Sequence, residues 1–530
     1  MQDVFARGLA PPDLVVITLY ALVVIGLGLW AGRKQATGTD FFLASRDSTW
    51  PVIGFALLAS NISSATLIGL AGNAYANGIA VYNYEWMATV VLVFFCLFFL
   101  PFILRSQVYT MPEFLERRYS PGVRKYFSAL TIFLSVVVDK AATLYGGALM
   151  LTLILPTIPL PVMVLVVAAL SGIYTIVGGL KAVLYTEVVQ AVILLSASAV
   201  LSWFAFAKAG GWANVMANIP EERMSLIMPL SDPHMPWLGL LTGVPILGFY
   251  FWCTNQFMVQ RVMSAKNVDH GRWGSLFAGL LKLPVLFLMV LPGSAAVLLY
   301  PNLPNPDLVY PTLMFDLLPT GLLGLVVAGF LAAIMSATAS TFNSAATLAT
   351  MDFIKPAFPA LDGKALVRVG RLATLAMVAV AVVVAPMIEK FGSVWTYLQS
   401  MLSYTSPPIV AVFLAGLFWK RANARGAGFA IVAGLAVGIT LFVQVNVLNL
   451  FTLNFLYVAP ILLAICAVAL VYGSLTGAGP SAQQTSGLMW TRAHWQAESA
   501  SLANTPAWAN YRVQSAILLA MTAVIVIWFW

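Results

Sequence analysis

The stretch Ala59-Ser60-Asn61-Ile62-Ser63-Ser64-Ala65-Thr66 decides how this chain folds. It sits inside an apolar run from Trp50 to Gly72 that is long enough to cross a bilayer as a helix. Five of its eight side chains are polar. Asn and Ser compete with the helix for its own backbone hydrogen bonds. Irregular backbone at membrane depth is tolerated only where it is buried in protein or lines a water-filled cavity. The pattern therefore predicts a broken helix whose freed backbone groups face a binding site, as in secondary transporters. The plainer reading is an unbroken helix with its hydroxyls bonded to the preceding turn.

Composition fits that setting. Of 530 residues, 61% are hydrophobic and 9% charged, with mean hydropathy +0.91; a soluble domain carries about 25% charged residues. This is the composition of an all-α polytopic membrane protein embedded in a lipid bilayer. The net charge of +8 fits the positive-inside rule and calls for no nucleic acid. Cys96, Cys253 and Cys466 are scattered through apolar runs, and His234, His270 and His494 fall in loops, so neither set has metal or disulfide spacing. The first apolar run, Leu14 to Ala31, follows MQDVFARGLAPPD, which lacks a basic n-region, and is read as a retained span.

Counting apolar runs of about 20 residues predicts about 14 transmembrane helices, near 14–32, 49–73, 80–104, 124–152, 158–179, 184–207, 236–262, 273–299, 319–350, 366–388, 393–419, 426–447, 452–474 and 512–530. With the N-terminus outside, 21 of the 27 Lys and Arg residues fall in inside loops and four outside. That asymmetry places both termini outside the cytoplasm. Residues 1–48 form an extra helix and inside loop, 49–208 and 236–419 two five-helix halves, 209–235 an outside loop, and 420–530 three further helices. The inside segment 475–511, rich in Gly, Ser, Ala and Gln, reads as partly disordered. Two five-helix halves must be inverted in the membrane. The first span of each carries an interruption, at Asn61–Ser64 and at Pro245 and Gly248 ahead of Thr254-Asn255-Gln256. Matching interruptions point to a site between the halves.

Ionisable residues within spans are functional candidates by default, and here they are Glu85, Asp139, Lys140, Glu187 and Lys282. Glu85, Lys282, Asn61 and Gln399, flanked by Tyr84, Trp86, Phe251, Trp252 and Trp395, supply what a sugar needs: donors and acceptors for hydroxyls, and aromatic faces for its C–H surface. A structural Glu85–Lys282 ion pair is the compatible alternative. Adjacent Asp139 and Lys140 diverge by about 100° on a helix, which predicts separate partners on neighbouring helices. The small residues and hydroxyls of LAAIMSATASTFNS (331–344) suit either close helix packing or a cation site facing the break at Ala59–Ile62.

GIYTIVGGLKAVLYTEVVQ (172–190), MPEFLERRY (111–119), NQFMVQR (255–261) and NSAATLATMD (343–352), with SNIS and YEWM, resemble the sodium/solute symporter family, and its sodium–glucose (sodium/galactose) branch in particular. The likeness covers nearly the whole chain. It implies a leucine-transporter-like 5+5 inverted repeat. It also implies sugar contacts at Asn61, Glu85, Lys282 and Gln399, with Tyr84 and Trp395 closing the site from outside and Trp252 flanking it from inside. This chain departs from the family at Thr66, Gly248, Ala88 and Phe251, where the galactose transporter has Gln, Asn, Ser and Tyr. The implied sodium ligands are the carbonyls of Ala59, Ile62 and Ala333 and the hydroxyl of Ser336. Ala337 stands where the family has a second hydroxyl, and Glu187 where it has an Asp linked to cation coupling.

The expectation is a secondary transporter, monomeric or a weak homo-oligomer, importing a hexose-like sugar with sodium across the plasma membrane, the inner membrane in a bacterium. It needs no cofactor beyond sodium as coupling ion. A sodium-independent or proton-coupled facilitator is the alternative. An enzyme is disfavoured, because no HExxH, GxSxG or paired Cys/His motif occurs.

Overall fold

The computed structural model of the protein describes residues 8–33, 37–155, 157–386 and 394–530. Among them the regular secondary structure is helical, apart from two isolated bridges, Ser48–Ala265 and Met228–Pro236. An extra helix, α1 (Pro11–Ala31), precedes the first half, which runs through the bent pair α2 (Trp50–Asn61) and α3 (Ser64–Asn77), α4 (Ile79–Ser106), α5 (Pro121–Leu153), α6 (from Leu160 to the kink at Gly179) and α7 (Gly179–Lys208). The second runs through α8 (Trp237–Thr254), its continuation α9 (Gln256–Met263), α10 (Val268–Leu299), α11 (Leu322–Ala357), α12 (Gly363–Val384) and the bent pair α13 (Leu398–Thr405) and α14 (Pro407–Phe418). Helices α15 (Ala424–Val447), α16 (Phe455–Thr476) and α17 (Tyr511–Trp528) follow. Eleven helices are long and apolar enough to span, or 13 if each bent pair counts as one, among the described residues. The expected fourteenth is α6, which starts at Leu160. It runs into α7 through Gly179, whose φ of 55° breaks the helix between them. Helix α11 has 89% of its apolar window buried, whereas α1, α12 and α17 have 22%. The first is therefore the central helix of the bundle and the others face lipid.

The break near Asn61 forms as the sequence predicts. Ile62 (φ −90°, ψ 108°) and Ser63 (φ −106°, ψ 177°) are extended, and α2 and α3 meet at 64°. Ser63 then restarts the helix by a reciprocal cap. Its Oγ accepts from Thr66 N at 3.3 Å and its N–H donates to Thr66 Oγ1 at 3.2 Å. The second break lies at Asn255, not at Gly248. Pro245 and Gly248 stay inside α8, because a membrane helix can absorb a proline through its neighbours. The helix widens into a π turn over Tyr250–Thr254 and ends where Asn255 turns extended (φ −68°, ψ 127°).

The segment 475–511 is docked rather than disordered. Helix Arg492–Leu502 lies against the bundle through Glu498, which accepts from Arg272 at 2.5 Å and from Arg512 at 3.0 Å. Composition hid these ion pairs, because both partners lie on other elements. At the same end Arg118 caps α14, donating to the carbonyls of Gly416, Trp419 and Ala422. The three cysteines are buried and free.

Gly179 holds its left-handed conformation where an added Cβ would stand 2.5 Å from the Phe41 carbonyl oxygen. Gly179→Ala should therefore destabilise the protein by about 1–3 kcal/mol. The readout is a lower melting temperature in detergent. Gly26→Ala, where nothing lies within 4 Å, should leave that temperature unchanged.

Candidate functional site

One cavity lies beside both breaks. Asn61 and Thr66 reach it from α2 and α3, Tyr84 and Glu85 from α4, Gly248, Phe251 and Trp252 from α8, and Gln399 from α13. Eight of the ten expected substrate residues thus share one wall. Thr66 is partly spent on structure, since its hydroxyl also donates to the Asn61 carbonyl at 3.3 Å. The side chain of Trp395 lies outside what the structure describes.

Lys282 stands just behind that wall, 1% exposed. Its ammonium donates to Glu85 Oε2 and to Asn61 Oδ1, and it lies 5.7 Å from the Trp252 ring centroid. Thr89 and Tyr82 bind the carbonyls of Gly279 and Leu283 at 3.2 and 3.0 Å, which ties α4 to α10 on either side of the lysine. A lone buried ammonium or carboxylate is costly, and each here offsets the other. The cluster orients the amide and carboxylate that the cavity presents.

Across the first break, Ser336 Oγ donates to the carbonyl oxygens of Ala59 at 2.7 Å and Ala333 at 3.2 Å. This gathers three of the four expected sodium ligands on α2 and α11, with Ile62 extended beside them. Ala337 is fully buried. The next hydroxyl, Thr338 Oγ1, is buried without a hydrogen-bond partner in the protein.

Two findings depart from the sequence reading. Arg261, one of the 21 cations counted to the inside, is fully buried at the end of α9 and grips Glu187 with both ends of its guanidinium. The distances are 2.6 Å to Oε1 and 3.2 Å to Oε2. Ser60 donates to Glu187 Oε1 at 2.8 Å, and Ser340 to the same atom. The carboxylate therefore already holds a cation of the protein's own. Second, Asp139 and Lys140 do pair, at 2.9 Å. Residues 133–140 are wound as a π helix, which changes the angle between neighbours, and the long lysine chain folds back. Both residues line the cavity.

Broken helices from two inverted halves around one polar cavity define a multi-pass transporter rather than an enzyme. The profile of the sodium:solute symporter family matches residues 41–438. The chain is 35% identical over 494 residues to human (Homo sapiens) sodium/myo-inositol cotransporter 2, covering 86% of this chain and 72% of that one. It is 33% identical to sodium/glucose cotransporter 4 of Danio rerio, covering 92% and 82%. Among solved structures, a sodium-coupled sialic acid symporter in a substrate-bound outward-open state superposes with a TM-score of 0.78 at 21% identity, covering 89% and 99%. Mhp1, a nucleobase-cation-symport-1 family transporter, gives 0.58 at 15% identity, covering 86% and 98%. This chain belongs to the sodium:solute symporter family and shares its leucine-transporter-like fold. It is a sodium-coupled solute symporter.

Removing one member of a buried ion pair costs about 3–5 kcal/mol, whereas replacing both by apolar groups is often neutral. Glu85→Leu alone should therefore lower the melting temperature sharply, and adding Lys282→Met should recover most of the loss. A double variant less stable than the single one would show that the pair is not charge-compensated as described.

Proposed function

We propose that the solute is an uncharged polyhydroxylated ring, a hexose or a cyclitol of similar size, carried into the cell with sodium by alternating access. The observation that carries this reading is the Asn61–Lys282–Glu85 cluster facing a cavity flanked by Trp252 and Phe251. Carboxylate and amide accept from hydroxyls, the amide also donates, and the aromatic rings cover C–H faces. The relatives named for glucose and myo-inositol fit the same chemistry. The acid carried by the sialic acid symporter fits it less well, because Lys282 is already neutralised by Glu85. Thr66, Gly248 and Phe251 line the same space and contribute to discrimination among hydroxyl isomers.

In this reading sodium binds to the carbonyls of Ala59, Ile62 and Ala333 and to Ser336 Oγ, which must turn from the Ala59 carbonyl as the ion enters. The concentration of Lys and Arg in alternate loops puts both termini outside the cytoplasm, in the inner membrane if the cell is bacterial. Uptake of labelled glucose and labelled myo-inositol into proteoliposomes, with and without a sodium gradient, tests the assignment. Failure of both solutes to accumulate under a sodium gradient would remove it. Ala337→Ser restores one oxygen to the ion, a gain of about 0.5–1.5 kcal/mol for one net polar contact. The sodium concentration for half-maximal uptake should fall about two- to tenfold. No shift would place the coupling ion elsewhere.

A further inference from the structure

The cavity holds more polar chemistry than the cluster at Lys282 uses. On the π-helical turn of α5, Ser135, Asp139 and Lys140 line the same space, joined by Asn255 at the second break. Ser135 and Asn255 are 3% and 5% exposed, and neither Ser135 Oγ nor Asn255 Oδ1 finds a hydrogen-bond partner in the protein. Buried polar atoms are rarely left so, and two of them facing one cavity indicate a ligand that partners them. Asp139 gives an oxygen to Lys140 at 2.9 Å, yet its side chain stays 28% exposed.

The two lysines mark two depths. Lys282 Nζ lies over the Trp252 ring at 5.7 Å, and Lys140 Nζ over the Phe257 ring at 5.3 Å. Trp252 and Phe257 are five residues apart, on either side of the break at Asn255. Each depth carries one acid and one base, so neither favours a charged ligand.

We propose that Ser135, Asp139, Lys140 and Asn255 form a second polar level of the substrate cavity, hold the hydroxyls on the far side of the sugar ring, and so set which polyol is accepted. This rests on the reading of the cavity as a sugar site. Asp139 accepts one hydroxyl through its free oxygen and Asn255 Oδ1 accepts another. Ser135 completes the set, and Lys140 aims the aspartate through their ion pair.

The experiment measures sodium-driven glucose uptake in proteoliposomes, competed by each monodeoxyglucose and by myo-inositol. Asp139→Asn should raise the half-saturating glucose concentration about tenfold, and Ser135→Ala about threefold. For the one deoxy analogue that lacks the contacted hydroxyl, the same substitutions should change the inhibition constant less than about twofold. The sodium concentration for half-maximal uptake should stay as in the parent. A purely structural ion pair would instead weaken all analogues alike, and that outcome overturns the proposal, as does unchanged affinity in both variants. Glu85→Ala runs alongside. If it abolishes high-affinity uptake while Asp139→Asn and Ser135→Ala leave it intact, only the second level falls. If Glu85→Ala is also without effect, the sugar site itself falls with it. Should Asp139→Asn fail to fold, Ser135→Ala decides, because it removes one small hydroxyl that binds nothing else in the protein.

Discussion

Hydrocarbon offers no partner to a polar group, so every donor and acceptor exposed by a broken helix must find one inside the protein. That constraint shapes the centre of this molecule. Where α2 ends at Asn61, Ser63 and Thr66 cap the restart of the helix, and Ser336 from α11 takes the Ala59 carbonyl. The break thereby becomes a joint between α2, α3 and α11 and not a gap. Close packing must follow. An added Cβ at Gly293 would lie 2.2 Å from the Ala71 carbonyl, so α10 presses directly on the backbone of α3.

The same constraint governs charge. Glu85–Lys282 borders the cavity and can offer its second carboxylate oxygen and its Asn61 partner to a ligand. Glu187–Arg261 has no exposed surface, and its carboxylate is saturated by a guanidinium and two serines. The first can take part in binding. The second ties α7, α9, α2 and α11 together on the other side of the break. A pair of this kind contributes less to net stability than its short contacts suggest, since desolvation of both ions offsets much of the attraction. What it fixes is which helices meet.

Sequence alone made the apolar spans legible, because membrane thickness imposes their length. It also made the first break legible, because five polar residues in the middle of a span are costly there unless the backbone opens and uses them. It misplaced the second. Pro245 and Gly248 weaken a helix in water, but the bundle tolerates them, and the chain opens at Asn255. Most of the cavity wall was readable through residue type and resemblance. Arg261 and Asp139–Lys140 were not. The partner of Arg261 lies 74 residues away, and the pairing of Asp139 with Lys140 depends on a widened helical turn that no residue pattern announces. The docking of 475–511 was hidden for the same reason, since Glu498 finds its arginines on α10 and α17.

The pairing of every intramembrane acid named above with a base also sets how the protein meets an electrical field. Glu85 with Lys282, Asp139 with Lys140 and Glu187 with Arg261 are neutral as pairs, and an uncharged solute adds nothing. With the uncharged solute proposed above, the membrane potential acts on the sodium ion and not on these pairs. One elementary charge crossing 100 mV releases about 2.3 kcal/mol, which sustains a roughly fiftyfold concentration ratio of an uncharged solute for each sodium carried. The current across the membrane becomes a direct count of ions, undiluted by moving protein charge.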